Sequence, residues 1–234
     1  MIPRVIHQVW LGESGGPEPP LAFRQAAATW RDHHPEWEYR LWGASEVERL
    51  FESVRPDLLA LYRAYPYWVQ RADAARYLIL LEVGGVYADL DMVCTGTFEE
   101  MTDADVVLAP TKPTGVSNGL MAASPHHPLF HELVDQLPSS FRRWQKPWIP
   151  RHFRIMCGTG SLHLTRVFDG GTAKVRLLTE EEFGHGSPRG ALIRHIEGNT
   201  WAEWDTHALM FLQRWWPALV CAGLVLSVLG YIAT

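Results

Sequence analysis

The stretch GGVYADLDMV, residues 84–93, limits what this chain can fold into more than any other. Two adjacent glycines stop a helix, and the aliphatic run behind them reads as a strand. Side chains two apart on a strand share a face, so Asp89 and Asp91 project together while Leu90 turns away. An apolar strand that spends two carboxylates on one face needs a physical reason, because the pair repels itself and is costly to bury. A hard divalent cation such as Mn²⁺ or Mg²⁺ meets that need, with a substrate diphosphate filling its further positions. Alone, Asp-x-Asp is a weak signal that a solvated strand end also produces.

The preceding helix, QRADAARYLILLEV over residues 70–83, adds weight. Its Ala, Leu and Ile recur at three-to-four spacing. Arg71, Asp73 and Arg76 share a turn and a half, and Asp73 and Arg76, three apart, face the same way. Because this helix runs straight into the Asp strand, its polar face can approach the same pocket. An arginine there offers fixed, permanently charged donors to a diphosphate that gains negative charge as it leaves. An ordinary surface ion pair is the competing explanation.

The rest of the chain alternates. Strands are predicted at 2–10, 38–42, 105–109, 174–178 and 191–196. Helices are predicted at 21–34, at 45–64 with a break at Pro56 and Ser45 as N-cap, at 127–137, and from Ser161 after a GTG turn. Residues 12–20 are turn-formers. Asn118 is placed in a glycine-bordered loop, where it orients a sugar hydroxyl or simply forms a turn. The alternation predicts an α/β domain with a mostly parallel sheet over residues 1–210. A net charge of −5 argues against a nucleic-acid binder. Eleven Trp is high for 234 residues and hints at sugar or lipid contact.

Residues 215–232, WWPALVCAGLVLSVLGYI, carry no charge. As a helix they would span about 27 Å, close to the hydrocarbon core of a bilayer, with Trp215, Trp216 and Tyr231 as interfacial aromatics. A single C-terminal transmembrane anchor is expected, a buried core helix being the alternative. No export signal is visible at the N-terminus, so the catalytic domain is expected on the cytosolic side, with Arg214 in keeping with the positive-inside tendency. The three Cys show no disulfide or zinc spacing, which favours a reducing compartment.

Taken together, QRADAARYLILLEVGGVYADLDMV resembles the core of the family 32 glycosyltransferases and, more distantly, the glucosyltransferase domain of large clostridial toxins. The opening IPRVIHQVWLG resembles that family's first strand. PTGVSNGLMAASPHHPLF and GTGSLHLT resemble one branch closely, the inositol-phosphoceramide mannosyltransferases. The resemblance runs from about residue 2 to 207 and implies a GT-A fold, a nucleotide-sugar donor and Mn²⁺ or Mg²⁺. It puts Asp89 and Asp91 on the metal and diphosphate. It puts Asp73 on donor sugar and ribose hydroxyls, Arg76 on the glycosidic oxygen and phosphate, Tyr87 in the donor site and Trp10 against the base. Asn118 joins this set through the match of the PTGVSN string. In RHIEGNTWAEWD the match is weaker, and His195 is the favoured further metal ligand with Trp201 on the donor.

The expectation is a retaining hexosyltransferase that moves mannose from GDP-mannose to a membrane-associated lipid or glycan acceptor. A transferase that uses a UDP-hexose for surface or capsular glycan is the alternative within the class. A membrane-anchored, nucleotide-sugar-binding pseudoenzyme is the alternative outside it. The implied setting is a bacterial inner membrane, or the Golgi if the chain is eukaryotic.

Overall fold

The computed structural model describes residues 1–12, 18–111, 115–168, 175–179, 182–183 and 192–196. Its main sheet has six strands in the order β2-β1-β3-β6-β5-β7. These are β1 (Val5–Val9), β2 (Glu38–Trp42), β3 (Gly85–Ala88), β5 (Val106–Pro110), β6 (Val116–Ala123) and β7 (Val175–Leu177). The β1 pairings with β2 and β3, and the β5 pairing with β7, are parallel. Only β6 runs against its neighbours, β3 and β5. A separate antiparallel pair joins β4 (Met92–Cys94) to β8 (Ile193–His195).

Helices cover both faces, as a sheet buried on two sides requires. On one face lies α1 (Leu21–His33), whose Trp30 is buried with Ile6, Val86 and Met92. Its indole Nε1 donates to Met92 O at 2.8 Å and so ties α1 to β4. On the other face lie α2 (Ala44–Val54), α3 (Pro56–Ala64), α4 (Trp68–Glu82), α5 (Pro128–Asp135), α6 (Leu137–Trp144), α7 (Arg151–Gly158) and α8 (Ser161–Val167). Residues of all these helices except α7 share a core with Tyr87, Leu108 and Met121 of the sheet. In β3, Val86 and Ala88 point to one core and Tyr87 to the other, following the two-residue period of a strand.

Helix α4 is buried almost all round, which its near-continuous Ala, Leu and Ile content allows. The glycines behind it are a steric necessity. Gly84 and Gly85 have φ of +68° and +92°. A Cβ on Gly85 would lie 2.5 Å from Val5 O, so only glycine lets β3 approach β1 here.

Several sequence expectations change. The run 86–93 is not one strand: β3 ends at Ala88, and Asp89–Asp91 form a turn closed by Met92 N–H donating to Asp89 O at 3.1 Å. Asn118 is on the buried strand β6, not in a loop. The cap of α2 is Gly43 rather than Ser45, because the Glu46 carboxylate accepts the Gly43 N–H at 2.7 Å. Helices α6 and α7 are additions to the predicted set. No described helix is long and apolar enough to cross a membrane. The expected anchor at 215–232 and Trp201 lie outside the described residues.

Candidate active site

The Asp89–Asp91 turn leaves the sheet at the C-terminal end of β3, where open α/β sheets bind ligands. Two backbone bonds fix it: Asp89 N–H donates to Gly119 O at 2.8 Å, and Ile196 N–H donates to Asp91 O at 2.7 Å. Gln8 Nε2 also donates to Asp89 O at 3.2 Å, and Tyr39 OH orients that amide by donating to Gln8 Oε1 at 2.7 Å. Gly119 has to be small. A Cβ there would stand 2.8 Å from Asp89 Oδ2.

Arg76 is the hub. From α4 its Nη1 donates to Asn118 O at 2.8 Å and pairs with Asp89 Oδ1 at 3.1 Å. Its Nη2 pairs with Asp73 Oδ1 at 3.2 Å. The guanidinium carbon sits 4.7 Å above the Tyr87 ring, and Tyr87 OH donates to Asp89 Oδ1 at 2.8 Å. Burial works against the Arg76 charge, but Asp89, Tyr87 and Asp73 raise its pKa further. It is therefore a permanent cation.

Asp73 is buried, and both its oxygens are engaged. Asn118 Nδ2 donates to Oδ1 and Thr159 Oγ1 donates to Oδ2, each at 2.8 Å. Burial pushes the Asp73 pKa up, while Arg76, Thr159 and Asn118 pull it down. Ser161 Oγ in turn donates to Asn118 Oδ1 at 2.9 Å. Both ends of the Asn118 amide are thus spent inside the protein, and the residue sets the Asp73 carboxylate. Arg71, by contrast, donates to the carbonyls of Tyr65 and Arg63 and takes no part in the site.

Asp91 differs from Asp89. Its buried Oδ1 receives no hydrogen bond, and burial followed by the Asp89 charge pushes its pKa to about 7. His195 Nδ1 lies 3.9 Å from that oxygen. The β4–β8 register puts His195 opposite Met92 and so beside Asp91. Among the described residues no group of three or more His, Cys, Asp or Glu is gathered closely enough to hold a metal ion by itself. The donor set still suits a hard cation that takes one or two carboxylates and completes its shell with phosphate and water. With Asp73, Asp89 and Asp91 ionised against one Arg76, the cluster carries a net −2, which one divalent ion balances.

Trp10 follows β1, with its N–H donating to Trp42 O at 2.9 Å and its ring edge-on to Phe23. Its indole Nε1 is buried without a hydrogen-bond partner. The structure therefore brings together Asp73, Arg76, Tyr87, Asp89, Asp91, Asn118 and His195. Sequence reasoning missed Thr159, Gln8 and Gly119. The GTG turn was the one visible signal for Thr159, and nothing in the sequence pointed to Gln8.

A carboxylate turn at the end of a strand, backed by a buried arginine in a GT-A-type fold, defines a class that transfers sugars from activated donors. Residues 20–108 match the glycosyltransferase sugar-binding region containing the DXD motif, so over that stretch, which includes the Asp89–Asp91 turn, the chain is similar to the DXD glycosyltransferases. Among its relatives is inositol phosphoceramide mannosyltransferase 2 of Schizosaccharomyces pombe, 29% identical over 243 residues, 99% of this chain and 68% of that protein. A mannosyl phosphorylinositol ceramide synthase of Saccharomyces cerevisiae is 29% identical over 233 residues, 96% of this chain and 59% of that one. The chain thus spans about three-fifths to two-thirds of the length of these relatives. Among solved structures, the PaToxG glycosyltransferase superposes with a TM-score of 0.57 at 17% identity, over 71% of this chain and 69% of that one, a likeness of fold.

Proposed function

We propose that this glycosyltransferase is a metal-dependent, retaining enzyme that moves a hexose, mannose from GDP-mannose, onto a membrane-associated glycolipid or glycan acceptor. The observation that carries the reading is the unbalanced cluster: three carboxylates, one buried cation, and an Asp91 oxygen with no donor. Mannose is favoured because relatives aligned over nearly the whole chain are named mannosyltransferases. GDP-mannose and retention come from the family resemblance.

In this reading Asp89, Asp91 and His195 would hold Mn²⁺ or Mg²⁺, which supplies positive charge against the donor diphosphate. Arg76 keeps a guanidinium at the same place, aimed by Asp73, Asp89 and the Tyr87 ring, and meets the charge that grows on the leaving phosphate. Asp73, aligned by Asn118 and Thr159, accepts sugar and ribose hydroxyls. Trp10 stacks on the base, and Trp201 contributes to the donor site. The segment 215–232 anchors the domain beside its acceptor.

The test is turnover of each nucleotide sugar with Mn²⁺, Mg²⁺ or chelator, followed by NMR of the product anomer. GDP-mannose turnover that chelator abolishes, with an α-linked product, is expected. Turnover of UDP-hexoses alone would move the chain to the alternative donor class, and a β-anomer would refute retention. Extraction of the full chain only by detergent is expected of the anchor, and a chain soluble without detergent would rule it out.

A further inference from the structure

The connection from α6 to α7 differs from the rest of the surface. Residues 136–168 contain no Asp or Glu and six Lys or Arg, so this stretch carries +6 in a chain of net −5. The remainder therefore carries −11. Five of the six cations fall within RRWQKPWIPRHFR, residues 142–154. The same short stretch exposes Trp148, 77% open to solvent, and Phe153.

This segment is ordered rather than loose. Lys146 N–H donates to Trp144 O at 2.8 Å, Ile149 N–H to Lys146 O at 3.0 Å, and Arg154 Nε to Ile149 O at 2.7 Å. Trp148, between Pro147 and Pro150, is thus held outward by a tied loop. Arg143 lies over the Trp144 ring, and Arg151 and Arg154 lie over Tyr67, which keeps the cationic heads on a firm aromatic floor. Arg151, His152 and Arg154 occupy the first turn of α7, with no acidic residue there. That is the positive end of the helix dipole, where cations are disfavoured. The contacts to Tyr67 and Ile149 offset part of that cost, and an external array of anions would offset more.

We propose that this face, built on Arg142, Arg143, Lys146, Trp148 and Phe153, docks the domain on an anionic phospholipid bilayer surface. Headgroup phosphates pair with the basic side chains, and the two aromatic rings enter the interface, the environment that amphipathic aromatics favour. A long polyanion such as a nucleic acid fits less well, because the −11 borne by the rest of the molecule repels it. A flat surface touches this face alone. Helix α7 is about 12 Å long and is followed directly by Thr159, which holds Asp73, so docking here brings the bilayer near the donor cluster. The docking argument itself does not depend on the identity of donor or acceptor.

The test is flotation of the full chain with vesicles of phosphatidylcholine alone and with vesicles that also contain phosphatidylserine, at low and high salt. The uncharged segment 215–232 contributes alike to both vesicles, so the increment on the anionic ones isolates this face. The native chain should gain affinity on phosphatidylserine and lose the gain at high salt. Each basic residue near such a surface strengthens binding by about fivefold, so R142E/R143E/K146E, which removes three cations and adds three anions, should cost at least about a hundredfold on anionic vesicles and nothing on neutral ones. Trp148→Ala should weaken the anionic binding that remains at high salt. Circular dichroism and donor hydrolysis, unchanged in these variants, guard against misfolding. No increment on phosphatidylserine, or an increment that survives the three reversals, overturns the proposal.

Discussion

Replacing Thr159 with valine removes one hydroxyl at nearly constant volume, at a position fully closed to solvent. The hydroxyl donates to Asp73 Oδ2 at 2.8 Å. A hydrogen bond to a charged group contributes about 1.5–3 kcal/mol, and the valine leaves a buried carboxylate oxygen without that donor. For a domain of this size a loss of that order lowers Tm by about 3–12 °C. Activity should change in a particular way. Thr159 is one of the groups that hold the Asp73 pKa down against burial, so without it Asp73 protonates at higher pH. The acid limb of kcat/KM should therefore move up in pH, and Thr159→Ser, which keeps the hydroxyl, should restore it. Calorimetry and pH–rate profiles on the three proteins provide the assay. If the valine variant matches the parent in Tm and in its acid limb, Thr159 does not hold Asp73 and the reasoning fails.

Three further outcomes are expected. Asp89→Asn and Asp91→Asn should each nearly abolish metal-stimulated turnover with the fold intact by circular dichroism, and full activity of both variants in chelator would exclude a catalytic metal there. Arg76→Lys keeps the charge but loses the planar fork that reaches Asp73, Asp89 and Asn118 O together, so kcat should fall more than donor KM rises; unchanged kcat with weaker donor binding would reduce Arg76 to positioning. His7, buried, is held at about 4 against 6.5 in the unfolded chain, so its stabilisation is complete above pH 6.5 and drains as pH falls towards 4. By pH 5 that loss is roughly 2 kcal/mol. Asp91, raised to about 7, works in the opposite direction over the same window, so the His7 effect is read as the difference between parent and His7→Asn in urea melts. The parent's advantage should shrink between pH 7 and pH 5, and a constant difference would refute it.

The elements legible from sequence are those where local signals agree. Pro35 and the apolar spacing marked α1, Pro56 split α2 from α3, and Gly84–Gly85 ended α4. The Asp-x-Asp was found for a reason only half right. Strand alternation put both carboxylates on one face, whereas a turn between two different sheets brings them to the site. Strand β6 was missed because VSNGLMAA holds Asn and Gly, which disfavour strands. Long-range partners override that preference: Asp73 and Ser161 satisfy the Asn118 amide, and Asp89 requires the gap above Gly119. Helices α6 and α7 were obscured by the prolines at 147 and 150, which bound the loop between them. Thr159 lies 86 residues from Asp73, a contact that no local pattern reveals.

The short β4–β8 ladder has a consequence for how the site comes into being. Three residue pairs, Met92–His195, Val93–Arg194 and Cys94–Ile193, together with the Ile196 N–H that donates to Asp91 O at 2.7 Å, hold His195 beside Asp91. Arg76, Asp89 and Asn118, by contrast, lie within 43 residues of one another and can meet while most of the later chain is still being made. During synthesis the arginine cluster can therefore form first, with the histidine arriving 77 residues after Asn118 by zipping one edge of a hairpin-sized ladder. A slip of one position would turn His195 to the opposite face. In the proposed reading, where Asp89, Asp91 and His195 hold the metal, competence to bind it follows the arginine cluster and depends on a ladder of three residue pairs.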